Sequence, residues 1–78
     1  MSGHVRTVVI NVLTPLVGKA MATVYVAQAA MRQGKTSESL EVTDLDWLCE
    51  EIRTEISSFA TKSLVDEAIA DIVERARI

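Results

Sequence analysis

Apolar residues recur every three or four positions along much of the chain, which is the spacing of one face of a helix. The clearest stretch spans residues 44–60, and its apolar stripe consists of Leu45, Leu48, Cys49, Ile52, Ile56, Phe59 and Ala60. Charged side chains occupy the other side, so the stretch predicts an amphipathic helix. Thr43, followed three residues later by Asp46, is the predicted N-cap.

A second amphipathic helix is predicted from about Leu64 to Arg77. Its stripe consists of Leu64, Val65, Ala68, Ile69, Ile72, Val73 and Ala76. Ser63, with Asp66 three residues on, is its predicted N-cap. Because only a short Thr61-Lys62 connection separates the two helices, we expect residues 44–78 to fold as an acidic antiparallel hairpin.

In the first half of the chain, helical spacing continues straight through Pro15. A proline inside a helix removes a backbone hydrogen bond, so Thr14 and Pro15 predict the N-cap and first residue of a central helix over residues 15–33. Gly34 is its predicted C-cap, and residues 34–43 are a linker. Within the N-terminal segment 1–14, residues 5–13 fit either a short helix or a strand, since their β-branched residues also suit a sheet.

The predicted central helix is apolar almost all round, whereas a chain of 78 residues forms only a marginal core. One cysteine cannot form an internal disulfide, and no Cys/His cluster offers a zinc site. We therefore predict one all-α domain over residues 1–78, packed as an intertwined homodimer or higher oligomer. The self-association surface is assigned to Gly18, Met21, Ala22 and Val24.

Charge divides the chain into two unlike halves. All 11 acidic residues lie at or beyond Glu38, so the first 35 residues carry +4 and the remainder −7, giving the net charge of −3. Lys19 interrupts the apolar run 5–31 near its middle, which argues against a membrane span or an export signal. We expect a cytoplasmic protein without membrane contact, and the single cysteine is compatible with a reducing compartment.

Candidate chemistry is sparse, and we expect neither enzyme activity nor a cofactor or metal. Cys49 falls on the apolar stripe with no basic neighbour evident to lower its pKa. Gly34-Lys35-Thr36 resembles the end of a phosphate-binding loop, but position 29, where that loop needs glycine, is Ala29. His4 lies close to the chain start, where an ordinary surface role is expected.

The excess of apolar surface without chemistry predicts a non-catalytic interaction module, a regulator or adaptor that binds or sequesters a larger protein. Trp47 falls off the stripe of its helix, so it either wraps the core edge or faces a partner. Tyr25 and Arg32 are further candidates for partner binding. Nucleic acid is not an expected partner, because the second half is strongly acidic.

An alternative rests on element order. A strand at residues 5–13, a helix after Thr14-Pro15, Gly34 and a later helix together resemble the ribbon-helix-helix family over about 50 residues. That resemblance implies a DNA-binding transcriptional regulator whose paired strand reaches base edges through Arg6, Thr7 and Asn11. The residues between them are mostly valine and isoleucine, a departure from the polar and basic strand of that family.

Overall fold

A computed structural model describes residues 3–78, and within them it shows four α-helices and no strand. The helices are α1 (His4–Val17), α2 (Lys19–Arg32), α3 (Leu45–Ile56) and α4 (Lys62–Ala76), with single 3-10 turns at Ser37–Ser39 and Val42–Asp44. The all-α prediction is confirmed. Residues 5–13 are helical, so the strand alternative, and with it the element order of the ribbon-helix-helix family, has no support.

The break in the first half lies at Gly18, not at Pro15, so the predicted central helix 15–33 begins four residues too early. Pro15 sits in the last turn of α1, and the Thr14 hydroxyl donates to the Ile10 carbonyl at 2.6 Å instead of capping a new helix. Gly18 has φ 88° and ψ 155°, a conformation that essentially only glycine adopts. Pro15 is tolerated near the end of α1 because it removes a single backbone hydrogen bond there. The chain reverses at Gly18 because a reversal within one residue requires this positive φ.

The turn at Gly18 folds α2 back along α1. The Gly3 N–H donates to the Glu38 carbonyl at 3.0 Å, so the start of α1 lies beside the turn that follows the end of α2. One continuous helix over residues 4–32 would be about 43 Å long. The longest dimension of the molecule is 31 Å, so the reversal is what allows both helices to join one core.

Gly34 ends α2 as the sequence predicts. With φ 71° it follows the C-cap residue Gln33, and its N–H donates to the Met31 carbonyl at 3.0 Å. The Lys35 N–H donates to the Ala30 carbonyl at 2.9 Å. These two bonds form a Schellman motif, which satisfies carbonyls at the helix end and fixes the direction in which Lys35 leaves it.

Helix α3 is preceded by a turn rather than capped by Thr43. Thr43 lies within the turn Val42–Asp44, and the Asp44 carboxylate accepts the Glu41 N–H at 2.9 Å. The polar side chain that closes the turn is therefore Asp44, one residue later than predicted. The helix ends at Ile56, so Phe59 and Ala60 lie beyond it.

Helix α4 starts two residues earlier than predicted, at Lys62. Thr61 is its N-cap, with an extended backbone and a hydroxyl that accepts the Leu64 N–H at 3.4 Å. Ser63 lies inside the first turn and is not the cap, because the backbone already becomes helical before it.

Each helix contacts two others: α1 lies against α2 and α4, and α3 lies against the same pair. The core between them is aliphatic, and its largest fully buried side chains are Leu13, Leu45, Leu48, Ile52, Ile56, Ile72, Val5, Val9 and Val26. The accessible surface is 4672 Å², close to the roughly 4650 Å² expected of a compact 8.5-kDa monomer. One chain therefore forms a compact core of its own, while Met21, Val24 and Met31 of α2 stay exposed, and self-association stays a prediction.

Candidate protein-binding surface

Helix α2 has one buried side and one exposed apolar side. The residues that enter the core are Ala22, Tyr25, Val26, Ala29 and Ala30. The opposite side, which we call the outer face, consists of Ala20, Met21, Val24, Ala27 and Met31. Met31 is 73 % exposed and Met21 and Val24 are each 42 % exposed, while Ala27 is half-buried. The face is about 16 Å long from Ala20 to Met31 at the rise of an α-helix.

No charged residue interrupts the outer face, since Lys19 and Arg32 bound a run of 12 uncharged residues. The polar side chains along the exposed side are Thr23, whose hydroxyl donates back to the Lys19 carbonyl at 2.9 Å, and Gln28. A surface helix of a globular protein normally carries charges opposite its buried stripe. The outer face lacks them, which makes it a candidate surface for contact with another molecule.

Arg32, a predicted partner-binding residue, is exposed but already engaged within the chain. Its guanidinium contacts the Glu51 carboxylate and donates to Glu55 at 3.0 Å. These hydrogen bonds from α3, first Glu51 and then Glu55, raise the pKa of Arg32. The cluster orients α2 against α3 and fixes the α3-facing border of the outer face.

Tyr25, the second predicted partner-binding residue, is only 5 % exposed and faces the core. Its ring lies 6.2 Å from that of Phe59, centroid to centroid, in a tilted arrangement. Phe59 itself is 61 % exposed, just past the end of α3. The sequence places Phe59 on the apolar stripe of this helix because the spacing of the pattern continues past Ile56, where the helix ends.

Trp47, the third, is half-buried and packs against the core. Its indole N–H donates to the Asp44 carboxylate at 3.2 Å, which fits a side chain that wraps the core edge. Asp44 is the buried charged residue within 3–78, and Lys35 Nζ lies 2.8 and 3.0 Å from its two oxygens. The hydrogen bond from Lys35 is the largest of the causes that hold the pKa of Asp44 below its usual value.

Asp44 thus joins the end of α2, the turn before α3 and the first turn of α3. Sequence reasoning missed this arrangement, since Lys35 was assigned to a linker and Asp44 to a helix start. The spacing of three between Glu41, Asp44 and Trp47 is the only local signal for it. The pairing with Lys35 depends on how the Schellman motif aims the chain, which is a tertiary feature.

The four predicted self-association residues do not form one surface. Gly18 occupies the turn, Met21 and Val24 lie on the outer face, and Ala22 is fully buried. The small-residue spacing between Gly18 and Ala22 therefore serves packing within one chain, where the Ala22 N–H also donates to the Gly18 carbonyl at 2.9 Å. Of this set, Ala22 is closed to a second protein, whereas Gly18, Met21 and Val24 are exposed.

The residues considered for chemistry have separate places in the fold. Cys49 is 8 % exposed, and burial, followed by the charges of Asp46 and Glu50, raises the pKa of its thiol. His4 borders an open groove of about 550 Å³ together with Glu38 and Glu41. Within residues 3–78, no group of three or more His, Cys, Asp or Glu side chains is placed to hold a metal ion.

Arg6, Thr7 and Asn11, the residues implied by the ribbon-helix-helix resemblance, lie on α1 rather than on a strand. Arg6 Nε is 3.8 Å from the Glu38 carboxylate, so part of its charge is neutralised within the chain. None of the helices in the described part of the chain is long and apolar enough to cross a membrane. Comparison with protein-family models, with curated proteins and with solved structures finds no match for this chain.

Proposed function

We propose that this protein is a small, non-catalytic helical interaction module, a regulator or adaptor, that binds a larger protein through the outer face of α2. The observation that carries the proposal is the exposed, uncharged helix face between Lys19 and Arg32. Methionine and valine side chains on such a face leave water when a partner helix or groove covers them, which contributes roughly 25 cal/mol per Å² of apolar area before the costs of association are subtracted.

The rest of the molecule supports a surface role for α2. The core is complete within one chain, so the outer face is not needed to hold the fold together. The basic residues Arg6, Arg32 and Lys35 are each paired with carboxylates from the second half. This leaves the α1–α2 layer with little positive charge, which disfavours nucleic acid as its partner.

In this proposal the acidic second half is an antiparallel hairpin of α3 and α4 that keeps the protein soluble. Its negative charge favours partners that have a basic rim around an apolar centre. Self-association into a homodimer is part of the proposal too, through Met21 and Val24. In a cytoplasmic setting the protein then acts by occupying the surface of a larger protein.

A photo-cross-linking experiment tests the binding surface. A photoreactive phenylalanine analogue replaces Met31 on the outer face in one sample and Ala70, an exposed position of α4, in the control. In a lysate of the source cells, we expect a discrete adduct with a larger protein from position 31 and none from position 70. Equal yields from both positions, or no adduct from position 31, refute the outer face as the binding surface.

A further inference from the structure

The order of large and small side chains on the outer face matches a second copy of the same helix. Ala20, Val24, Ala27 and Met31 are separated by four, three and four residues, the spacing of a coiled-coil seam. Along the seam, small and larger residues alternate. We infer that the outer face pairs with the same face of a second copy, with the two α2 helices antiparallel.

Only the antiparallel arrangement makes the seam self-complementary. When Val24 of one copy lies opposite Ala27 of the other, Ala20 lies opposite Met31, so every layer combines one larger and one small side chain. A parallel pair would instead place Met31 against Met31 and alanine against alanine. Alternation of large and small residues across facing positions is what fills the space between two helices, and alanine lets their backbones approach closely.

Charge also favours this face for contact between copies. Each chain carries a net charge of −3, and every one of its 11 acidic residues lies at or beyond Glu38, outside α1 and α2. Two copies that meet at the outer face therefore bring no carboxylates of their facing helices together. Contact through α3 or α4 would instead bring like charges close, which is destabilising.

The size of the face makes this dimer weak. A seam about 16 Å long on a helix about 10 Å wide covers far less than the roughly 800 Å² per partner of a standard stable interface. The dimer thus forms at high local concentration and dissociates readily. The inference rests on the proposed function, since both use the outer face. A larger protein that binds the outer face therefore competes with the second copy.

Mixed cysteine variants test the pairing and its direction. In a Cys49→Ala background, Ala20→Cys and Met31→Cys chains are combined under mild oxidation. We expect a disulfide-linked heterodimer, because these positions face each other across the antiparallel seam. Neither variant should cross-link on its own, because in a pair of identical copies the two cysteines lie about 16 Å apart along the helix axis. The control mixture pairs Met31→Cys with Asn11→Cys, an exposed position of α1 outside the seam, and should give no heterodimer.

Sedimentation equilibrium on the wild-type chain gives the second readout. We expect a reversible dimer that Val24→Glu weakens at least about tenfold, a change of about 1.4 kcal/mol, while circular dichroism confirms that the variant stays folded. A chain that is monomeric up to about 1 mM overturns the inference, as does cross-linking of Ala20→Cys with itself. A monomer that still yields the lysate adduct from position 31 overturns the self-pairing but leaves the proposed binding of a larger protein intact, so the two failures are distinguishable.

Discussion

Substitution of Gly18 by alanine probes the turn on which the whole first half depends. Gly18 has φ 88° and ψ 155°, and holding a residue with a side chain in such a region costs about 1–3 kcal/mol. An added Cβ would meet no atom within 4 Å, so the cost comes from the backbone alone. Alanine restricts the unfolded chain more than glycine does, which offsets about 0.4–1 kcal/mol. Because the region is essentially restricted to glycine, the cost lies in the upper half of that range, which leaves a net loss of about 1–2.5 kcal/mol, or about 4–20 °C in Tm for a domain of this size.

The assay is thermal unfolding followed by circular dichroism, with Trp47 fluorescence as a second probe near the opposite end of α2. Asparagine provides a matched comparison, because it tolerates the left-handed helical conformation of Gly34 but not the ψ of Gly18. Gly34→Asn should therefore change Tm by only a few degrees, whereas Gly18→Asn should resemble Gly18→Ala. A Tm for Gly18→Ala within about 2 °C of wild type would refute the reversal at this residue.

Three further predictions concern the other half of the molecule. The pKa of Asp44 is lowered in the fold, so its contribution to stability is present above about pH 4 and is lost as the pH falls through the lowered pKa. Urea unfolding between pH 7 and 2 should show this loss of stability in the wild type and a smaller loss in Asp44→Asn. Asp44→Ala, which leaves Lys35 and the Trp47 indole without their acceptor, should cost about 2–4 kcal/mol by urea unfolding at pH 7, and a loss under about 0.5 kcal/mol would contradict the arrangement. Cys49 should react with a thiol reagent only as the chain unfolds, so labelling in the native state at the rate of a free thiol would show that it is not buried.

The sequence alone determined the helical character of the chain and the positions of its strongest signals. In α3 and α4 the apolar stripe, the charged side and the turn between them all indicate amphipathic helices, and each of these features depends only on residues a few positions apart. Gly34 was likewise predictable, because a glycine after an apolar helical stretch is the local requirement of a Schellman motif.

Helix limits were less predictable, since neighbouring residues compete for the same role. Thr14 and Pro15 are a good start signal, yet the chain reverses at Gly18, because only that residue adopts the backbone conformation that brings α2 back onto α1. Ser63 and Thr43 had the right chemistry for caps, but Thr61 has the extended backbone that precedes α4 and the Asp44 carboxylate closes the turn before α3.

The tertiary structure decided which apolar residues are covered. Helix α2 is apolar nearly all round, so its periodicity could not say that Ala22 and Tyr25 enter the core while Val24 and Met31 face outward. Packing of α2 against α1 and α3 makes that choice, and the packing involves contacts between residues that are far apart in the sequence. The pairing of Lys35 with Asp44 has the same origin, because long-range contacts depend on chain direction after each turn and not on local pattern.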